Sequence, residues 1–294
     1  MIKVFKFILM EATHRLRQSA IRLMRGVRDP RQLIRNIGSN LRAAWFPQRC
    51  LLCLSLARGD FCLACQPLLD GADPLRHARC LRCGRIKTQS EQPEGSHTCK
   101  HADSPWDRVW IGMDYQVPLD GVLMLGKYGG DPNACRALGR WLGQRRPFSC
   151  HADGQEPPLL IPIPSTPSKL RQRGYNPVEQ IARGWVQQAK LDHRNAPRLE
   201  SRVLLRHDTG TSQSRRTGKE RALSAQAREA SPPDPSHGTA GFYLGPGAQP
   251  ALHTRRPIVL LDDVMTTGST LAAACLALKA KPIQSISLVV LMRR

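Results

Sequence analysis

The chain has 294 residues, which is long enough for one sizeable domain plus a smaller module. Hydrophobic residues make up 41% of the chain, enough to form a packed core, and this fraction excludes general disorder. Its 44 lysines and arginines outnumber its 23 acidic residues, and the formal net charge of +21 indicates polyanionic partners (nucleic acid, phosphorylated ligands or an anionic membrane face), with a merely solvated basic surface as an equal alternative. No segment reaches the roughly 20 apolar residues that a membrane-spanning helix needs.

The first 45 residues are rich in arginine and poor in acidic residues, and their apolar side chains recur near helical spacing. Lys6 breaks the opening apolar run and no small-residue cleavage site follows, so this segment is a poor secretory signal. A mitochondrial presequence, a membrane-surface helix and a frayed extension all fit the composition. We predict a basic, partly helical N-terminal extension over 1–45 and a cytoplasmic protein.

Seven of the ten cysteines fall between Cys50 and Cys99, in three Cys-x-x-Cys pairs and one single residue. Reduced thiols in the cytoplasm favour metal binding over disulfides. Two such pairs, each on a tight turn, complete the tetrahedral shell of a zinc ion. We therefore predict a zinc-ribbon module over 46–104, with structural zinc in a first site. The ligands of this first site are Cys50, Cys53, Cys62 and Cys65.

The second set of cysteines is less regular. Cys80, Cys83 and Cys99 supply three thiolates, and His97 or His101 supplies the fourth ligand. We predict a second metal site from Cys80, Cys83, His97 and Cys99; the alternative is a loop that has lost its metal. Neither site indicates catalytic zinc, because no pocket chemistry is visible nearby and four thiolates leave no open position.

The pattern from residue 105 to residue 294 is that of an α/β domain. Strands are predicted at 108–115, 158–164, 202–206, 257–263 and 285–293. Helices are predicted within 122–145 and at 177–189, 218–229 and 269–280. Because strands alternate with helices, and "PIVLLDD" is apolar up to its acids, we predict a doubly wound, mostly parallel sheet. The Pro/Gly-rich residues 231–250 are predicted to form an irregular surface insertion.

Two carboxylates, Asp262 and Asp263, end the apolar strand 257–263, and a turn of hydroxyl residues with one glycine follows them. Carboxylates at the carboxyl edge of a parallel sheet accept hydrogen bonds from a vicinal diol, and amides at the start of a helix suit a phosphate. A sugar 5-phosphate carries both groups. A P-loop is excluded because its lysine is absent. An Asp turn with a Ser cap explains Ser269 but not the paired acids.

Several stretches resemble one protein family. "VLLDDVMTTGSTL" resembles the phosphoribosyl-pyrophosphate (PRPP) signature of type I phosphoribosyltransferases, and "IPIPSTPSKLRQRGYNPVEQIA" resembles the ComF/GntX-type branch, whose Val-Pro-Val-Pro strand precedes Arg-Gly-Phe-Asn-Gln. "PWDRV", "LGKYGG", "SQSRRTGKERAL" and the cysteine pairs also match, so the resemblance runs over about 46–294. The chain departs from the family where Ser96 replaces a cysteine and where Pro177 follows Asn176.

The resemblance implies a type I phosphoribosyltransferase-like α/β fold at 105–294, preceded by the zinc ribbon, and it implies roles for individual residues. Asp262 and Asp263 would be catalytic and would bind the ribose of PRPP. The residues wrapping its 5′-phosphate would be Val264, Met265, Thr266, Thr267, Gly268, Ser269 and Thr270. Mg²⁺ would accompany the PRPP. Candidate cations for the pyrophosphate are Lys127, Lys169, Arg171, Arg173 and Arg221.

The resemblance also implies a biological setting: natural competence, DNA uptake or the use of DNA as a nutrient, with competence proteins as partners. Two functions remain open. The chain is either a phosphoribosyltransferase with an unknown acceptor, or a non-catalytic accessory protein that binds single-stranded nucleic acid and retains PRPP binding. Trp106, Trp110 and Tyr175 are available to stack on bases.

Overall fold

The structure is a computed structural model, and its description covers part of the chain. The described residues are 48–72, 78–87, 99, 101–145, 147, 156–192, 195–208, 241–253, 256–281, 283 and 285–294. The extension 1–45, His97, Arg221 and the predicted helix 218–229 lie outside them. The chain divides into two compact units between Ala64 and Cys65. The predicted domain boundaries at residues 46 and 105 stay a prediction.

The described elements number nine strands and seven helices. The strands are β1 (Gln48–Arg49), β2 (Leu56–Ala57), β3 (Arg108–Asp114), β4 (Leu159–Pro162), β5 (Arg198–Leu199), β6 (Leu204–Arg206), β7 (Phe242–Leu244), β8 (Ile258–Met265) and β9 (Ile286–Arg293). The helices are α1 (Gln66–Gly71), α2 (Leu119–Tyr128), α3 (Pro132–Gln144), α4 (Pro167–Arg173), α5 (Pro177–Leu191), α6 (Ala248–Leu252) and α7 (Ser269–Lys279). Among the described residues, none of these helices combines the length and apolar character needed to cross a membrane.

The first unit contains a small antiparallel hairpin, and the second contains the main sheet. In the hairpin, β1 pairs with β2. Five strands form the main sheet in the order β3-β9-β8-β4-β5, and every neighbouring pair is parallel. This confirms the predicted α/β class with a parallel sheet and flanking helices, and it fits the phosphoribosyltransferase-like architecture that the resemblance implied.

The sheet is buried on both faces, which explains why β8 reads as an apolar run. Ile258 and Leu260 belong to a core cluster with Leu271 and Leu278 of α7. Side chains alternate along a strand, so Val259 and its equivalents are buried on the other face, where α5 packs against β4 and β8. Because all five strands run in one direction, the segments after β3, β4, β8 and β9 meet at a single edge.

Local capping patterns fix where the longer helices begin. Asp131 accepts a hydrogen bond from the Asn133 amide at the start of α3, and Asn176 accepts one from the Val178 amide at the start of α5. Both helices have proline in the first turn, where the missing N–H costs nothing. Gly130, with a φ of +71°, separates α2 from α3, so the helical spacing within 122–145 resolves into two helices.

The structure differs from the sequence-based expectations in two further places. The predicted 202–206 strand exists as β6, but it pairs antiparallel with β7 outside the main sheet. β7 lies within the segment 231–250 that was predicted to be irregular, and α6 begins within it. Phe242 of β7 is buried in the core, so this part of the segment is not a surface insertion. In addition, "PSKLRQR" forms the short helix α4, which was not among the predicted helices. None of its residues is buried, so its sequence carries no apolar pattern that would indicate a helix.

Candidate functional site

An acidic pair lies at the carboxyl edge of the sheet. Asp262 is buried, with 8% of its surface exposed, and its Oδ1 accepts a hydrogen bond of 2.9 Å from the Asp263 amide. Burial, and next the charge of Asp263, raise the pKa of the Asp262 carboxyl to about 7. β8 continues through Val264 to Met265, and Met265 is buried in the core. The exposed part of the predicted phosphate loop therefore begins at Thr266.

One lysine is paired with the acids. The Lys127 Nζ atom, in the last turn of α2, lies 2.8 Å from Asp263 Oδ2. The two side chains are only 17% and 15% exposed, so water screens this ion pair less than a surface pair. Gly129 and Gly130 of "LGKYGG" follow the last residue of α2, directly after this turn.

More cations gather at the same edge. Burial lowers the pKa of Lys169, and the positive charges of Arg173, Arg206 and Lys127 lower it further. Arg171 instead pairs with Asp208 at 3.4 Å, with 73% of its side chain exposed. The structure thus pairs Lys127 with Asp263, places Lys169 close enough for its charge to interact with that of Asp263, and places Arg173 beside Lys169.

Arg206 belongs to this cationic group, although the sequence reasoning did not find it. Burial lowers its pKa, while the charge of Asp262 has the opposite effect. Its guanidinium lies over the Phe242 ring at 4.8 Å, and its buried Nε has no hydrogen-bond partner. A lone arginine at the end of the short strand "RVLLR" carries no spacing signal, and its position depends on the pairing of β6 with the distant β7.

The turn after β8 presents hydroxyls and amides. Thr266, Thr267 and Ser269 are exposed, and the hydroxyls of the last two lie 3.1 Å apart. Gly268 is the N-cap of α7 with a φ of +76°, a conformation that favours glycine, and it provides no side-chain cap. The first amides of α7 and the positive end of its dipole therefore face the turn, which suits an anion.

The arrangement has a clear chemical capacity. Two carboxylates can accept hydrogen bonds from neighbouring hydroxyls, an amide-rich turn beside them can hold a phosphate, and the cations other than Lys127 can neutralise further negative charge. The ligand that matches this combination is a polyol carrying more than one phosphate group.

Two cysteine clusters have the geometry of metal sites. The sulfurs of Cys50, Cys53, Cys62 and Cys65 lie within 4.8 Å of one another, as do those of Cys80, Cys83 and Cys99. Tetrahedral zinc with bonds of about 2.3 Å separates its sulfurs by about 3.8 Å. The observed Sγ separations are 3.5 Å for Cys53 and Cys62 and 3.7 Å for Cys80 and Cys99, so both clusters are compatible with structural zinc.

Other candidate residues have different positions from those expected. His101 is not part of the second cluster as the described residues form it, and the fourth ligand predicted there, His97, lies outside the described residues. Trp106 is 1% exposed and its Nε1 donates to the Arg82 carbonyl, so its assignment as a base-stacking residue was wrong. The Tyr175 hydroxyl donates to the Gly126 carbonyl at 2.6 Å.

The fold and its sites define a class of protein: a parallel α/β domain with an acidic and cationic site at the carboxyl edge of its sheet, together with cysteine clusters able to hold metal. No family model matches the chain. It is 26% identical over 230 residues to the DNA utilization protein YhgH of Escherichia coli (strain K12), covering 77% of this chain and 88% of that protein. It is also 26% identical over 232 residues to Competence protein F of Haemophilus influenzae, covering 77% and 89%. These similarities support the resemblance to the ComF family.

Proposed function

We propose that the chain binds PRPP at the carboxyl edge of the main sheet and acts as a ComF-type phosphoribosyltransferase in the cytoplasmic handling of DNA. The observation that carries the proposal is the position of Asp262 and Asp263, beside Lys127 and directly before the turn at Gly268. This juxtaposition offers a diol acceptor, a cation and a phosphate-binding turn within one short stretch of chain.

The acidic pair would bind the ribose. The 2′- and 3′-hydroxyls would donate hydrogen bonds to the carboxylates of Asp262 and Asp263, and the 5′-phosphate would lie on the amides and hydroxyls of 266–270. Because Lys127 pairs with Asp263, it offsets part of the negative charge that Asp263 presents to Asp262, although that charge still raises the Asp262 pKa. The ligand would thereby be held with its anomeric carbon at the sheet edge.

The cationic group would bind the pyrophosphate. Lys169, Arg173 and Arg206 together place positive charge near the acids, where burial strengthens each interaction. In a phosphoribosyl transfer, the bond between the anomeric carbon and the pyrophosphate breaks as positive charge develops on the sugar, so catalysis consists mainly of positioning and charge stabilisation. Mg²⁺ bound with the ligand would neutralise part of the pyrophosphate charge.

The connection to DNA rests on the relatives. Proteins called DNA utilization protein and Competence protein F align with more than three quarters of this chain. We infer that this chain likewise acts in DNA uptake or use, with competence proteins as partners and the acceptor of the phosphoribosyl group not assigned.

Calorimetry with PRPP and Mg²⁺ tests the binding proposal. We expect the wild-type protein to bind and the Asp262→Asn, Asp263→Asn double variant to lose at least about 10-fold in affinity, since charge-assisted hydrogen bonds contribute about 1.5 to 3 kcal/mol each. Glu156→Gln is the matched control, because Glu156 pairs with Arg256 at the opposite edge of the sheet. Equal affinity in the double variant and the wild type would contradict the proposal.

A second candidate function is a non-catalytic protein that binds single-stranded nucleic acid and retains PRPP binding. The formal charge of +21 favours it. An assay of pyrophosphate release distinguishes the two functions. An enzyme releases pyrophosphate from PRPP when single-stranded DNA, nucleobases or other acceptors are added, whereas a binding protein does not. Release that is lost in the double variant supports the enzyme.

A further inference from the structure

One arginine connects the second cysteine cluster to the turn after β8. Arg293, the last residue of β9, donates from Nε to the Cys83 carbonyl at 3.3 Å. Its Nη1 donates to the carbonyls of Met265 at 3.1 Å and Thr266 at 2.5 Å. A single guanidinium therefore bridges the backbone of a cluster cysteine and the first residues of the proposed phosphate-binding turn.

The cysteine end of this bridge is fixed to the sheet. The Val109 amide of β3 donates to the Leu81 carbonyl at 2.6 Å, and Arg79 donates to the Gly84 carbonyl and pairs with Asp114 at 2.9 Å. Gly84, with a φ of +72°, packs so closely on Ile111 that a Cβ would lie 2.4 Å from its Cγ1. The segment between Cys80 and Gly84 thus has little freedom once its sulfurs are also held.

The other end of the cluster contacts the same turn. A Cβ on Gly268 would lie 3.3 Å from ring atoms of His101 and of Trp106, both of which follow Cys99 closely in the chain. Arg82, between two of the cluster cysteines, donates to the carbonyls of Ala102 and Ser104 at 2.6 and 3.0 Å. Two separate routes therefore lead from the cysteines to the turn at 266–268.

We propose that Arg293 is a positioning residue through which metal binding at Cys80, Cys83 and Cys99 orders the turn that holds the ligand's phosphate. The metal fixes the Cys83 backbone, Arg293 transmits this order to the Met265 and Thr266 carbonyls, and the amides of 266–270 are held ready for an anion. The identity of that anion rests on the proposed function; the link between the metal and the turn does not.

Hydrogen exchange at the amides of 266–270 tests the link in the full-length protein. Removal of the metal by Cys83→Ser, or by chelation if that variant does not fold, should raise exchange about 10-fold, within the usual range of coupling between sites. Arg293→Lys keeps the charge but loses the planar fork, so it should raise exchange similarly with the metal content unchanged. The double variant should exchange no faster than Cys83→Ser alone, because Arg293→Lys breaks a link that metal removal has already released.

Arg256→Lys is the matched control, since the Arg256 guanidinium is similarly buried but pairs with Glu156 and the Pro157 carbonyl at the opposite edge of the sheet. It should leave exchange in the turn unchanged. The proposal would be overturned if the increases in exchange caused by Cys83→Ser and Arg293→Lys multiplied in the double variant. It would also be overturned if metal loss did not raise exchange in the turn.

Calorimetry separates a failure of this inference from a failure of the proposed function. If wild type binds PRPP with Mg²⁺, Arg293→Lys should weaken binding about 5- to 10-fold and Arg256→Lys should not. Binding that is equal in wild type and Arg293→Lys overturns the inference alone. If wild type does not bind PRPP at all, the proposed function fails, and the exchange measurements still decide whether the metal orders the turn.

Discussion

Asp262 occupies the most unfavourable place for a charge among the acids of the site. It is buried, it neighbours a second carboxylate, and its main compensation is the hydrogen bond from the Asp263 amide. Lys127, which could neutralise it, is instead paired with Asp263 at 2.8 Å. A residue kept at a cost to stability is expected where a ligand supplies the missing hydrogen-bond donors.

The pKa of Asp262 gives a prediction about stability. Its folded-state pKa of about 7 exceeds the unfolded value, so between the two values the folded state holds a proton that the unfolded state lacks. The free energy of unfolding therefore falls as the pH rises from about 4 to about 7, where only the unfolded state has released this proton, and the loss is complete above about 7. Asp262→Asn, whose oxygen can still accept from the Asp263 amide, should stabilise the ligand-free protein at pH 8 by about 1 to 3 kcal/mol.

Urea denaturation at pH 5 and pH 8 checks this prediction. The stabilisation by Asp262→Asn should be smaller at pH 5, where the wild-type carboxyl is protonated. Glu156→Gln, at an exposed carboxylate, should change stability little at either pH. A variant that is less stable than wild type at pH 8 would contradict the assignment of Asp262 as a destabilising charge.

At the scale of elements, the position of Lys127 depends on a stack of helices. α2 packs on α3, α3 packs on α5, and α5 packs on β4 and β8. The two longer helices, α3 and α5, cross very closely at two glycines. A Cβ added to Gly184 would lie 2.1 Å from the Arg136 carbonyl oxygen, and a Cβ added to Gly139 would lie 2.0 Å from the Ile181 carbonyl oxygen. Glycine at this crossing thus sets the height of α2, and of its lysine, above the sheet edge.

Gly184→Ala should force α3 and α5 apart. We expect a loss of about 1 to 3 kcal/mol in the free energy of unfolding, the usual cost of overpacking a core contact. Gly121→Ala in α2 is the matched control: nothing lies within 4 Å of its added Cβ, so it should stabilise the helix by about 0.5 to 1 kcal/mol. Denaturant titration measures both, and a neutral Gly184→Ala would show that the helices do not pack as described.

The elements also show what the sequence can predict. β8, α5 and α7 follow from local signals, namely an apolar run, a proline-capped amphipathic pattern and a glycine before a serine. β7 was missed because its partner β6 is distant in the chain and its surroundings are rich in proline and glycine. The acidic pair and Lys127 could be found from motif and resemblance, whereas Arg206 and the Arg293 bridge depend on long-range packing that no spacing reveals.

For the whole molecule, the net charge of +21 predicts how it meets nucleic acid. If single-stranded DNA binds chiefly through its phosphates, affinity should fall about 10-fold or more between about 50 and about 200 mM salt, given a slope of about 0.7 per phosphate neutralised. The Asp262→Asn, Asp263→Asn variant should keep this binding, because it removes no positive charge. Fluorescence anisotropy with labelled oligonucleotides measures both quantities. Binding that is independent of salt, or lost in the variant, would contradict a charge-driven interaction.

The central claim is that one edge of the sheet holds a phosphorylated sugar, and a crystal structure of the protein with PRPP and Mg²⁺ tests it most directly. The account predicts ribose hydroxyls within hydrogen-bond distance, about 3 Å, of the Asp262 and Asp263 carboxylates, with the 5′-phosphate on the amides after Gly268. Density for the ligand elsewhere, or a sheet edge filled by the protein's own side chains at saturating PRPP, would contradict it.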